Sequence, residues 1–149
     1  MTRDEILTQL RAAKTAHIQW LSDALALISG LAQAQDHVPV LLRDCAFGAW
    51  YYGPGQRLAA LSAFQRIEAP HTDLHRIYTQ IFHILFAADD RSRLARLLGT
   101  KGKISKKRQE EAKALMDSLL AVSRALLESI AVLERQLLEL NEDQLAALT

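Results

Sequence analysis

The strongest constraint on this chain is a seven-residue repeat of apolar side chains in its C-terminal third. One row of the repeat is Met116, Ser123, Ile130 and Leu137, and the other is Leu119, Leu126, Leu133 and Leu140. Such a repeat predicts one long helix with a buried seam that other helices must cover. Further apolar residues beside the seam, such as Leu115 and Leu127, widen this apolar stripe. A stripe of that width favours a helical bundle over a lone coiled coil.

Composition predicts that the rest of the chain is helical as well. Of the 149 residues, 50% are apolar, while only 6 are Gly and 3 are Pro. Clusters of strand-forming Val, Ile and Thr are nearly absent. We therefore expect an all-α fold, a helical bundle with a four-helix-bundle-like core, an additional short helix and the long C-terminal helix.

Local signals predict where the helices begin and end. Thr2 and Glu5 form a capping-box pattern, and Gly53 and Pro54 are placed as a helix stop and the next helix start. Pro70 is placed in the first turn of a fourth helix. The five expected helices span roughly Thr2 to Gln35, Val40 to Tyr52, Gln56 to Glu68, Pro70 to Leu98, and Ser105 to Leu140 or as far as 146.

Length and charge limit the classes of protein that this chain can belong to. We expect one domain over residues 1–149, with its motifs in about 10–90 and its long helix at about 105–146. The net charge of +1 gives no general attraction to nucleic acid or to anionic membranes. The N-terminus lacks an apolar signal core, and no apolar stretch reaches the roughly 18 residues that a membrane span needs. With 1 Cys the chain cannot form an internal disulfide, which favours a reducing cytoplasm.

The basic residues between 91 and 108 form a second, weaker feature. We interpret them as a solvated turn between helices. Docking of an acidic partner is the alternative that the sequence leaves open.

Four residues have the side chains of a zinc ligand set. His71 and His75 are four residues apart, so they share one face of a helix, and His17 lies on the apolar stripe of the first helix. Cys45 would add a thiolate, and three imidazoles with one thiolate suit tetrahedral zinc. Single buried histidines and cysteines more often serve only in packing, so these residues alone leave a metal site and an ordinary core both open.

The motifs around these residues are more specific. They read H-I-Q-W at 17–20, C-A-F-G-A-W-Y-Y-G at 45–53 and H-T-D-L-H at 71–75. In residue types, order and separation, these motifs resemble those of the chemoreceptor zinc-binding (CZB) domain family, over about residues 10–90. The resemblance implies a helical bundle that holds one zinc ion through His17, Cys45, His71 and His75. It also implies packing roles near the metal for Trp20, Phe47, Gly48 and Trp50.

The resemblance further implies a regulatory role. Members of the family are sensors, usually attached to chemotaxis receptors or diguanylate cyclases, often dimeric, and responsive to zinc or to hypochlorous acid. We therefore expect a zinc-binding signal-transduction domain in which Cys45 is the redox-sensing residue. Because the sequence includes no output domain, we expect it to signal in trans to a partner protein, as a homodimer.

Two other functions remain open at this stage. Zinc could be a purely structural staple in a helical dimerisation module. Less well supported is a zinc-dependent hydrolase, in which one ligand position is left open for water. The sequence offers no H-E-x-x-H motif and no evident general base beside the expected ligands, so we do not expect an enzyme.

Overall fold

The structure is a computed structural model, and it describes residues 1–29, 44–86 and 106–148. Its helices are α1 (Arg3–Ile28), α2 (Ala46–Tyr51), a 3-10 helix (Pro54–Leu58), α3 (Ser62–Gln65), α4 (Glu68–Phe86), α5 (Lys106–Glu139) and α6 (Glu142–Ala146). No strand occurs within these three segments, and the predicted all-α helical bundle is confirmed. Among the same residues, no helix is long and apolar enough to cross a membrane.

The first helix begins where the capping box predicted. The Glu5 backbone N–H donates to the Thr2 hydroxyl at 3.2 Å, and the Thr2 N–H donates to the Glu5 carboxylate at 2.8 Å. Two of the otherwise unpaired N–H groups of the first turn are thereby satisfied. The helix ends at Ile28 with Ser29 as its C-cap, so the expectation of an unbroken helix to Gln35 was wrong, and residues 30–35 fall outside the described residues.

The long helix α5 carries the apolar seam that the sequence predicted. Its buried residues are Ala112, Leu119, Ser123, Leu126, Ile130, Leu133 and Leu137, and its most extensive partner is α4. The expectation of one helix as far as 146 was wrong. Asn141 caps a separate helix, because its side chain accepts the Gln144 N–H at 2.8 Å while the Gln144 side chain accepts the Asn141 N–H at 2.9 Å.

Helices α1 and α5 run antiparallel. Arg3 donates to the Leu140 carbonyl, and Arg11 bonds Glu134 at 2.7 Å. Further along α1, the side chain of His17 lies within 3.1 Å of Ser123. Residues later in α1 therefore pair with residues earlier in α5. The two helices enclose one apolar core together with α2, α3, α4 and α6.

A single helix over Gln56 to Glu68 was predicted wrongly. The segment instead forms a 3-10 helix, a turn and the short α3. Its large buried side chains are Leu58, Leu61, Phe64 and Ile67. They are spaced by threes, and in an α-helix each step of three residues rotates the side chain about 60° away from the core. A chain with three residues per turn keeps all of them on one side, which explains the departure from α-helical geometry.

Other predicted boundaries also moved. Pro70 does lie in the first turn of α4, as predicted. The second helix begins at Ala46, so Cys45 precedes the helix instead of lying within it. The stretch from Val40 to residue 43, the end predicted for α4 at Leu98 and the basic residues from 91 to 105 all fall outside the described residues.

Candidate metal centre

The histidine pair occupies the first two turns of α4. His71 is fully buried and His75 is 4% exposed, and their ring centroids are 5.0 Å apart at an interplanar angle of 85°. This is the arrangement expected for residues four apart on a helix. The Nδ1 atom of His71 is buried without a hydrogen-bond partner. A buried nitrogen left unpaired in this way is rare in folded proteins.

Cys45 caps the start of α2 with its sulfur. The Sγ atom accepts the backbone N–H of Gly48 at 3.2 Å, so Gly48 contacts the cysteine through its backbone. The same Sγ lies 3.4 Å from Nε2 of His71. Cys45 is 3% exposed, and the cap therefore carries its sulfur toward α4 inside the core.

Cys45, His71 and His75 form a group that could hold a metal ion. One donor atom from each residue lies within 4.8 Å of the other two, and all three residues are buried. In a tetrahedral zinc site, bond lengths of about 2.3 Å to sulfur and 2.0–2.1 Å to nitrogen separate the two donors by about 3.5 Å. The Sγ–Nε2 distance of 3.4 Å matches that separation. One thiolate and two imidazoles are also the donors that zinc prefers, so these residues fit the ion.

His17 is buried nearby but is not a member of this group. It is 2% exposed, and its Nε2 atom lies 3.1 Å from Oγ of Ser123 on α5. Its ring centroid lies 6.2 Å from that of Trp20 and 6.1 Å from that of Phe47. The structure therefore brings three of the four expected ligands together and places the fourth beside them, bonded to a residue that sequence reasoning assigned to the seam alone.

Aromatic rings cover the histidines. Trp20 lies 4.8 Å from His75, and Phe47 lies 5.0 Å from His71, measured between ring centroids. Trp50 packs against Phe47 at 5.8 Å, and so supports the cover from behind. The predicted packing positions thus lie around the site, and their rings restrict the access of water to it.

Burial keeps two of the histidines neutral without a metal. Desolvation, with a smaller contribution from the charge on His75, lowers the pKa of His17 to about 4 and that of His71 to about 3. Burial raises the pKa of the Cys45 thiol, and the N–H of Gly48 partly offsets this shift. At neutral pH these two imidazoles are ready to bind, whereas the thiol must lose its proton to a bound cation.

The two carboxylates nearest the site in sequence are exposed, unlike a base held beside a buried metal. Asp73, between the paired histidines, is exposed and lies 3.5 Å from Arg76. Asp44 is exposed as well, and its charge adds to the upward shift of the Cys45 pKa. The side chains that surround the donor group are aromatic, which suits the retention of an ion more than the activation of water.

The fold and the donor group define a helical metal-binding domain. Residues 17–82 match the model of the chemoreceptor zinc-binding domain (CZB) family, a segment that includes all three motifs and all four expected ligands. This match is to the family that the resemblance predicted, and zinc, the ion of that family, suits the donors of the buried group. The family is regulatory and not catalytic. A search of curated proteins and a search of solved structures each gave no match.

Proposed function

We propose that this protein is a zinc-responsive regulatory domain. One zinc ion is held by Cys45, His71 and His75, with His17 as the fourth ligand. The observation that carries the proposal is the buried group of three donors, in which Sγ and Nε2 lie 3.4 Å apart. The domain senses zinc availability, oxidation of Cys45, or both, and it does so without catalysing a reaction.

Oxidation of Cys45 supplies a signalling step. The Cys45 thiolate, which would be one of the ligands of the ion, would attack the chlorine of hypochlorous acid and give up two electrons, and hydrolysis would then yield a sulfenic acid and chloride. The net reaction is RS⁻ + HOCl → RSOH + Cl⁻. A sulfenic acid is a poor zinc ligand, so oxidation would weaken the hold of Cys45 on the ion and with it the link that the ion would make between α2 and α4.

The signal then passes to another protein. We propose that the domain acts in trans, as a homodimer, on a signalling partner of the chemotaxis type. The single cysteine supports a reducing cytoplasmic setting, where a thiolate stays intact until an oxidant arrives.

Metal analysis of purified protein tests the ligand set. We expect one zinc per chain in wild type and much weaker binding in Cys45→Ala, His71→Ala and His75→Ala. His83→Ala is the matched control, because His83 lies on the same helix but is exposed. Zinc-free wild type, or full zinc retention in all three variants, would refute the proposal.

Titration with hypochlorous acid tests the redox role. Wild type should release zinc in proportion to the oxidant, as followed by a coloured chelator, and a thiol reductant should restore binding. Unchanged zinc content in protein whose Cys45 is shown to be oxidised would leave a zinc site without a redox function.

A structural staple is the second candidate, because Cys45 and the histidine pair belong to different elements that an ion would join. Far-UV circular dichroism of chelator-treated protein separates the two functions. A staple predicts an unfolded apo protein, whereas a sensor predicts a folded apo protein with an altered site. The apolar core extends well beyond the site, which favours a folded apo protein and therefore the sensor.

A further inference from the structure

Ser123 is out of place in its helix. It occupies the apolar seam of α5 at 1% exposure, among leucines and isoleucine. Within the described residues, the only other buried polar or charged side chains are His17, His71 and His75. The one polar residue of the seam therefore lies beside the candidate metal centre, opposite His17.

Its hydrogen bonding also differs from that of its neighbours on α5. Ser118 is exposed and Ser129 is partly buried, and each bonds the carbonyl four residues earlier in its own helix, Ala114 and Ala125 respectively. This back-bonding is the common behaviour of a helical serine. The side chain of Ser123 instead bonds across the helix interface to Nε2 of His17 at 3.1 Å.

We propose that Ser123 is a positioning residue for the metal centre, fixing the orientation and tautomer of His17. This inference rests on the proposed function, in which His17 is the fourth ligand. The Nε2–H group donates to the serine oxygen, so the proton stays on Nε2 and the lone pair of Nδ1 is left for the ion. Ligand histidines commonly have their second nitrogen held in this way, and loss of such a partner weakens metal binding about 10- to 100-fold.

The bond makes α5 part of the site. Cys45, His71 and His75 come from α4 and the residue preceding α2, and His17 comes from α1, so none of the four expected ligands lies on the long helix. Ser123 connects that helix to the ligand set by its hydrogen bond to His17. A ring that moves when zinc binds or leaves must therefore move against the middle of α5.

Competition for zinc with a coloured chelator measures the effect. Ser123→Ala should bind zinc about 10- to 100-fold more weakly than wild type, and Ser123→Thr, which keeps the hydroxyl, should recover part of the affinity. Ser129→Ala removes a serine from the same helix outside the site and should bind as wild type does. A Ser123→Ala protein with wild-type affinity overturns the proposal.

Nitrogen-15 NMR of histidine-labelled wild type gives a readout that does not depend on the variant folding. We expect His17 to carry its proton on Nε2 in both the zinc-free and the zinc-loaded protein, with Nδ1 bound to the ion in the latter. Zinc bound through Nε2 overturns the positioning role while the zinc-binding function stands. Failure of wild type to bind zinc overturns both.

Discussion

The two ends of the α1–α5 pair are built on different principles. At one end, Leu10 of α1 and Leu133 and Leu137 of α5 are fully buried apolar residues. At the other end, the same two helices contribute His17 and Ser123, joined by a hydrogen bond. The buried side chains of the apolar end gain stability by leaving water, whereas each polar group at the site end costs free energy unless it finds a partner. The stability of the fold thus depends mainly on the apolar end, and the polar residues of the site end serve function.

The largest expected effect is on the apolar end. Leu133→Ala should lower the free energy of unfolding by about 2–5 kcal/mol, because it leaves a cavity in the core, while the zinc bound per folded chain stays the same. Leu138→Ala, one residue further along α5 and 53% exposed, is the control and should change stability by less than about 0.5 kcal/mol. Urea unfolding measures both, and equal losses at the two positions would contradict the comparison.

Acid should lower the free energy of unfolding through the buried histidines of the site end. The unfolded chain protonates His17 and His71 near pH 6.5, whereas burial lowers their folded pKa values to about 4 and about 3. The stability that these neutral rings carry is complete above pH 6.5 and is lost as the pH falls toward those values, at about 1.4 kcal/mol per pKa unit. Urea unfolding of zinc-free protein at several pH values measures the slope.

The matched variants for that experiment are His17→Gln and His83→Ala. The first should reduce the pH dependence, because it removes one buried imidazole. The second removes an exposed imidazole and should leave the dependence as it is. A flat profile between pH 6.5 and 4 in wild type would show that the buried rings do not govern acid stability.

A smaller effect is expected where α6 begins. Asn141→Ala removes the side-chain acceptor for the Gln144 N–H and should cost about 1 kcal/mol, measured by thermal unfolding. Glu139→Ala, exposed at the end of α5, should cost less. If Asn141→Ala were neutral, α6 would contribute little to the apolar end despite the burial of Leu145.

The smallest effect is expected for the ion pair between Arg11 and Glu134, whose charged atoms lie 2.6 Å apart at the surface. A double-mutant cycle should give about 0.2–1 kcal/mol, and added salt should weaken it. The exposed pair of Asp73 and Arg76 serves as the reference and should give no more than that. A value well above this range would mean that this ion pair, as well as apolar burial, holds the N-terminal half of α1 against α5.

Sequence reasoning succeeded where a local pattern and tertiary packing agree. The capping box at Thr2 set the start of α1, and the heptad residues Leu119, Leu126 and Leu133 are buried in α5 as predicted. Both signals are contained in short stretches of chain. The family motifs likewise identified Cys45, His71 and His75 as residues that meet.

It failed where packing across the chain decides the geometry. The spacing of Leu58, Leu61 and Phe64 by threes signals a departure from the α-helix, but good helix formers between them hid it. Cysteine is a weak hydrogen-bond acceptor, so nothing in its usual behaviour marks Cys45 as a helix cap. Ser123 could have been found as the one polar residue in an apolar row, yet its partner in α1 is 106 residues away along the chain.

The sulfur of Cys45 is both a donor atom of the candidate metal centre and the cap of α2. The sulfur that faces His71 also accepts the N–H of Gly48, and α2 is only 6 residues long, less than two full turns. A helix so short has no interior that could persist once its opening turn is disturbed. Adding a single oxygen to that sulfur therefore alters main-chain hydrogen bonding at once, before any side chain has to repack.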